Sequence, residues 1–262
     1  MGDGPAPRAY EVVVGWVEGR ILNGELHVGD TLPAERHLAA QLGVSRAAVR
    51  EAVRTLQAQG VLRSGVGAGE TGGTRVTAMS SGALTRLLRL HVALAHFPLE
   101  DVLEVRVALE RLSVRLASSR ATPDDLAGLQ RRLVDLQTAE SRAGFDDADA
   151  AFHVAIAEAA GNRLAAETTI AIRESVRGPL MVGFASLDEE ACDRIAGELN
   201  AEHEAILAAL VAGDGPTAQA LMEAHIRTAW ERIQAALPPG EDGRHTSGAA
   251  EPRPAGEVTM GA

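Results

Sequence analysis

The sequence predicts a mainly α-helical chain in two parts, an N-terminal winged helix-turn-helix and a C-terminal all-helical bundle. Three observations carry this fold class. Between Pro33 and Arg63 the apolar residues keep a helical period that breaks once, at Gly43. After it, Val61-Leu62-Arg63 and Thr74-Arg75-Val76-Thr77 read as short strands flanking a glycine-rich tip, SGVGAGETGG. Beyond Thr77 the apolar patterning is helical throughout, and 262 residues are enough for two separate cores.

Taken in order, residues 1–9 are polar and rich in proline and glycine, the composition of a disordered start. Tyr10 to Leu22 reads as a helix with Val13, Val14, Val17, Ile21 and Leu22 on one face, ended by Asn23-Gly24. Val28-Gly29-Asp30 forms a loop before Pro33. A helix over 34–42 buries Leu38, Ala39 and Leu42, and Gly43 follows it as a C′ residue, able to take positive φ without penalty. Ser45 stands as N-cap of a second helix over 45–59, ended by Gly60. In that helix Arg46 and Arg50, four apart, share a face opposite Val49, Ala52 and Val53. One buried stripe, with arginines displayed from the first turns, is what a helix entering a DNA major groove requires.

Downstream, helices are expected over 81–95, 99–119, 123–142, 146–160, 163–185, 189–212 and 215–236. Their boundaries come from Pro98, Thr122-Pro123 with Asp124 and Asp125, Gly161-Asn162, and Gly213-Asp214-Gly215-Pro216. Asn162 suits a helix cap, and Gly178-Pro179 should kink the fifth of these helices. The domains are therefore placed at 10–77 and 81–236. The tail from 237 to 262 lacks large apolar residues and is expected to be disordered, leaving His245 solvated.

The formal charge of −11 looks unsuited to a nucleic-acid partner, but its distribution decides. Tyr10 to Thr77 holds seven arginines and seven acids, so the acidic excess lies downstream, where it serves solubility and repels non-specific DNA. All 25 basic residues are arginine. No run of about 18 apolar residues suggests a membrane span, and the first residues lack the regions of a signal peptide. A lone cysteine, Cys192, permits no internal disulfide and reads as a plain small side chain of a cytoplasmic protein.

Two sets of residues carry a family resemblance. The first is LPAERHLAAQLGVSRAAVREAVRTLQAQGVL, from Leu32 to Leu62. The second comprises EVRVALE at 104–110, DAAFHVAIAEAAGN at 149–162, EHEAIL at 202–207 and MEAHI at 222–226. Together the chain resembles the GntR family of bacterial transcription regulators, in its FadR-type branch with an FCD effector domain. The likeness spans nearly everything from Tyr10 to Ala236.

That resemblance implies contacts to double-stranded operator DNA from Arg36, Ser45, Arg46, Ala47 and Arg50, and from the backbone of Gly67 in the minor groove. An arginine fork can bridge guanine O6 and N7 or hold a phosphate, and Ser45 suits a phosphate at a helix start. Ala47 departs from the family's usual threonine, losing a hydroxyl while keeping a methyl that can pack on thymine. The wing is longer than is usual in the family, and Glu70 within it would be repelled by phosphate.

In the helical part, Asp149 and His153 lie four apart, so a helix presents both on one face. With His203 and His225, each mid-helix among apolar neighbours, they match the family's metal ligands residue by residue. A carboxylate and three imidazoles suit a divalent ion, Zn²⁺ first, with Ni²⁺, Mn²⁺ or Fe²⁺ as alternatives. His91 and His96 match nothing and read as surface or packing residues.

Arg106 is the implied effector-binding residue, a clamp for a carboxylate, with Asn200 as a further polar contact. The structural alternative pairs Arg106 with Glu110 or another acid. The implied function is a homodimeric repressor, not an enzyme and without a membrane partner. A small carboxylate effector bound at the metal would control operator affinity, with the 81–95 helix transmitting the change. Two rivals stand beside it: a regulator for which the ion itself is the signal, and a metal-dependent hydrolase.

Overall fold

In a computed structural model of the protein the described residues are 6–65, 73–78, 81–94, 96–185 and 187–236. The first elements are α1 (Ala9–Leu22), α2 (Glu35–Leu42), α3 (Arg46–Ala58), β1 (Leu62–Gly65) and β2 (Gly73–Val76). They close around a core of Val13, Val17, Leu38, Val49, Ala52, Leu56, Leu62 and Val76. Leu22 was expected on the inner face of α1 but is 84% exposed. At about 100° per residue it lies roughly half a turn from the fully buried Val13.

The turn between α2 and α3 depends on Gly43, whose φ of 66° and ψ of 28° lie in the left-handed region while its N–H reaches Ala39 O. Ser45 then caps α3, its Oγ accepting from Ala48 N at 3.1 Å. The strands pair antiparallel with Leu62 opposite Val76. The segment before Pro33 is more than a loop: Val76 N donates to Asp30 O and Leu32 N to Thr74 O, both at 2.8 Å. This pins the sheet to the chain between α1 and α2, a pairing too short for strand periodicity to reveal.

The remaining helices are α4 (Ser81–Ala93), α5 (Leu99–Arg120), α6 (Pro123–Gln137), α7 (Arg142–Ala159), α8 (Arg163–Ala185), α9 (Glu189–Val211) and α10 (Gly215–Ala236). α5 packs against α7, α8, α9 and α10, and α4 lies along α8. A second core of Val114, Leu129, Leu133, Phe152, Ile156, Ile206, Met222 and Ile226 fills the bundle.

Two boundaries differ from the sequence reading by four residues or more. α6 ends at Gln137 rather than 142, and α7 begins at Arg142 rather than 146, because Ser141 Oγ caps α7 through Gly144 N at 3.1 Å. Neither proline nor glycine marks that junction. α8 remains one unbroken element through Gly178 and Pro179. Asn162 caps it as expected, accepting from Ala165 N at 3.2 Å. The wing-tip residues Gly67 and Glu70, and the tail with His245, lie outside the described residues.

Candidate functional site

On α3, the side opposite the core carries Ser45, Arg46, Ala47 and Arg50, all exposed, with Arg54 one turn further along. Burial of Ala48, Val49, Ala52, Val53 and Leu56 fixes the helix so that these groups face out. Arg46, Arg50 and Arg54 make no ion pair among the described residues, so their guanidinium donors are available. Ser45 Oγ accepts the capping bond and keeps its own O–H to donate. Arg36, exposed at the start of α2, has Nη2 3.4 Å from His37 Nε2.

The second constellation is buried. Asp149 and His153 from α7, His203 from α9 and His225 from α10 offer ligand atoms that all lie within 4.8 Å of one another. His203 Nε2 stands 3.1 Å from Asp149 Oδ1 and 3.3 Å from His153 Nε2, and His153 Nε2 is 3.7 Å from Asp149 Oδ1. Donors held tetrahedrally by one ion at about 2.0–2.1 Å are about 3.3–3.4 Å apart, so this spacing fits a single small divalent cation. Helix periodicity supplies the Asp149–His153 pair; the packing of α9 and α10 supplies the others.

Two of the imidazoles are oriented from behind. His153 Nδ1 is hydrogen-bonded to Glu110 Oε2, and His225 Nδ1 lies 2.8 Å from Glu202 Oε2. A carboxylate on Nδ1 holds the proton there and turns the Nε2 lone pair toward the cluster. Burial, then the nearby Arg173, push the His153 imidazole down to about 3, overriding Glu110 and Asp149, so the ring is neutral at neutral pH. Burial lowers His225 as well. His203 Nδ1 is buried with no hydrogen-bond partner.

Charge around the cluster is balanced by Arg106, Glu110 and Arg173, the last of which sequence reasoning left out. Arg106 Nε donates to Glu110 Oε1 at 2.7 Å, the pairing held open as the structural alternative. Arg173 Nη1 donates to the same oxygen at 3.0 Å, and its Nη2 to Asp149 Oδ2. Burial would raise the Glu110 and Asp149 carboxyls, but the guanidinium and imidazole partners hold both well below the usual carboxylate range. Glu110 was legible as the i+4 partner of Arg106 but not as the support of His153, and Glu202 could have been found as the neighbour of His203. Arg173 carried no signal of its own, because its partners lie on α5 and α7.

A cavity of about 380 Å³ opens beside the cluster, with Arg106, Asp149, Arg173, Arg177 and His225 in its wall. Asp149 and His225 thus belong both to the donor set and to the cavity. Arg177, at its margin, pairs with Asp146 Oδ2 at 2.6 Å and with Asp147. Cys192 also lines the cavity, whereas Asn200 does not; the Asn200 Oδ1 atom is buried without a partner. His91 and His96 sit away from the cluster as a mutually hydrogen-bonded pair, Nδ1 to Nδ1 at 2.8 Å.

Comparison with known proteins places both parts of the chain in known families. The profile described as "Bacterial regulatory proteins, gntR family" matches residues 9–71, and the FCD domain matches residues 101–228. The chain is 33% identical over 224 residues, 84% of each chain, to an Escherichia coli (strain K12) regulatory protein named for the L-lactate dehydrogenase operon. The chain belongs to the GntR family. It is also 31% identical over 211 residues to the HTH-type transcriptional regulator LutR of Bacillus subtilis (strain 168), covering 79% of this chain and 92% of that one. A solved Streptococcus agalactiae GntR structure shares the fold, with a TM-score of 0.54, 24% identity, and coverage of 86% of this chain and all of that one. As a GntR-family protein with an FCD domain, the chain is a DNA-binding transcription regulator rather than an enzyme. Among the described residues no helix is long and apolar enough to cross a membrane.

Proposed function

We propose that this regulator is a cytoplasmic homodimeric repressor whose operator affinity is set by a small carboxylate bound beside a divalent ion. Asp149, His153, His203 and His225 would hold the ion, with Zn²⁺ the first choice for one carboxylate and three imidazoles, and Ni²⁺, Mn²⁺ and Fe²⁺ as alternatives. Such an ion would supply a Lewis-acid seat for a carboxylate oxygen. The observation that carries the reading is the shared wall: Asp149 and His225 line a cavity of about 380 Å³ that Arg106 also lines. A cavity of that size beside the donors favours a bound organic effector over the ion as the only signal.

On the DNA side, Arg46 and Arg50 would read base edges in the major groove, Arg36 and Ser45 would grip phosphate, and Ala47 would pack on a thymine methyl. Gly67 would bring the wing backbone to the minor groove. Two copies would read the halves of a pseudo-palindromic site. Because one relative is named for the L-lactate dehydrogenase operon, L-lactate is the first effector to try. The test is fluorescence anisotropy of labelled operator with zinc-loaded protein, titrated with L-lactate and other small carboxylates. The expected result is release of DNA that His203→Ala abolishes. Effector occupancy of the helical domain without any change in operator affinity would refute the switch, and tighter binding would refute repression alone.

A further inference from the structure

One face of α4 has no partner within the described residues. Val92 and Leu88 pack with Ile172 and Val176 of α8, which fixes the rotation of the helix. Leu87, Leu90 and Leu94 then point outward, 54%, 58% and 64% exposed, and Phe97 on the following turn is 42% exposed. His96 N–H donates to His91 O at 2.9 Å, and the Phe97 and His91 ring centroids are 5.8 Å apart, so Phe97 prolongs the stripe. Among the described residues eleven large apolar side chains are exposed, and four of them fall between 87 and 97. Scattered singly they would need no explanation; gathered on one face they mark a surface that another body covers.

Spacing and charge choose the occupant. The intervals of three, four and three read the same in either direction. An antiparallel second copy would therefore set Leu87 against Phe97 and Leu90 against Leu94, each pair twice, as a two-fold axis requires. Arg86 and Arg89 flank the early end of the stripe, and Glu100 and Asp101 follow its late end in the first turn of α5. All four are exposed and make no ion pair among the described residues. The antiparallel arrangement brings the arginines of each copy toward the acids of the other, whereas a parallel one would oppose like charges. The chain's own tail beyond Pro238 offers only Val258 and Met260 to such a stripe.

Resting on the homodimer reading above, we propose that this face of α4 is where two copies of the chain meet. They pack antiparallel, with Leu87, Leu90, Leu94 and Phe97 at the centre and Arg86, Arg89, Glu100 and Asp101 at the rim. The helix that leads from the winged domain into the bundle is then itself the seam of the dimer.

Leu90→Glu combined with Leu94→Glu changes side chains that are exposed in a single copy, so the fold should survive, as circular dichroism would report. Sedimentation is expected to show the dimer dissociation constant raised about a hundredfold or more, because each copy loses the burial of two leucines. Arg86→Glu with Arg89→Glu should also weaken the dimer. Mixing that protein with one carrying Glu100→Arg and Asp101→Arg should restore association, since opposite charges then meet at both ends. A wild-type dimer that neither set of substitutions weakens overturns this surface and leaves the homodimer reading standing. Wild type that stays monomeric sinks both, whether or not it floats with anionic lipid vesicles. An arginine variant that dimerises like wild type overturns the antiparallel pairing. Should the leucine variant unfold, the arginine variant and the mixing experiment decide alone.

Discussion

Replacing Glu110 with glutamine changes one atom and should disable the donor cluster without touching a ligand. In the native protein Oε1 accepts from Arg106 Nε at 2.7 Å and Arg173 Nη1 at 3.0 Å, and Oε2 takes the proton of His153 Nδ1. Glutamine oxygen can still accept from both arginines, which leaves its NH₂ facing His153 Nδ1. Two donors cannot share that contact. With its pKa pushed down to about 3 the imidazole stays neutral, so its single proton moves to Nε2, the nitrogen that faces Asp149 and His203. The lone pair a metal needs is then gone. Loss of a carboxylate behind a histidine ligand typically weakens metal binding about 10–100-fold, or about 1.4–2.7 kcal/mol. The metal-free protein should also lose about 3 kcal/mol, the lower end for an uncompensated buried charge, because the arginine hydrogen bonds survive. Competition against a fluorescent zinc chelator and urea denaturation measure the two effects. A folded Glu110→Gln protein with wild-type zinc affinity would refute the tautomer argument.

The other predictions concern the DNA face and pH. Ser45→Ala removes the bond to Ala48 N and should cost about 1 kcal/mol in thermal unfolding. Arg50→Ala should weaken operator binding, and if the contact is to phosphate it should reduce the salt slope of log K by about one, read from anisotropy at several salt concentrations. For acid stability the sign follows from lowered folded pKa values. The neutral His153 favours the fold fully above its ordinary 6.5, and that contribution is lost as pH falls toward about 3. Glu110 and Asp149, held low in the fold, lose theirs at lower pH still. Urea midpoints of metal-free protein should therefore begin to fall below about pH 6.5 and steepen in the carboxylate range near pH 4. A midpoint that stays flat down to pH 4 would contradict the buried neutral histidine.

Local patterns were the legible part of this chain. Gly43 needs a left-handed φ that glycine accepts freely, and Ser45 offers a side-chain acceptor to Ala48 N, so both ends of the turn could be placed from residue chemistry. Less was legible at the α6–α7 junction, where only Ser141 marks a start and no breaker marks the stop. Leu22 departs for another reason: apolarity does not by itself fix burial, and helix rotation carries this side chain to the solvent side.

The sequence by itself determined which helices form, where α3 displays its arginines, and that Asp149 and His153 share one face, because each depends on spacings within a few residues. Only the tertiary structure decided that Glu110 and Glu202 stand behind two of the histidines. Arg173 joins Glu110 to Asp149, and Asp149 and His225 face a cavity, in the same way. These relations span residues 23 to 63 positions apart on different helices. Periodicity specifies a face but not which neighbour meets it; the packing of α5, α7, α8, α9 and α10 makes that choice.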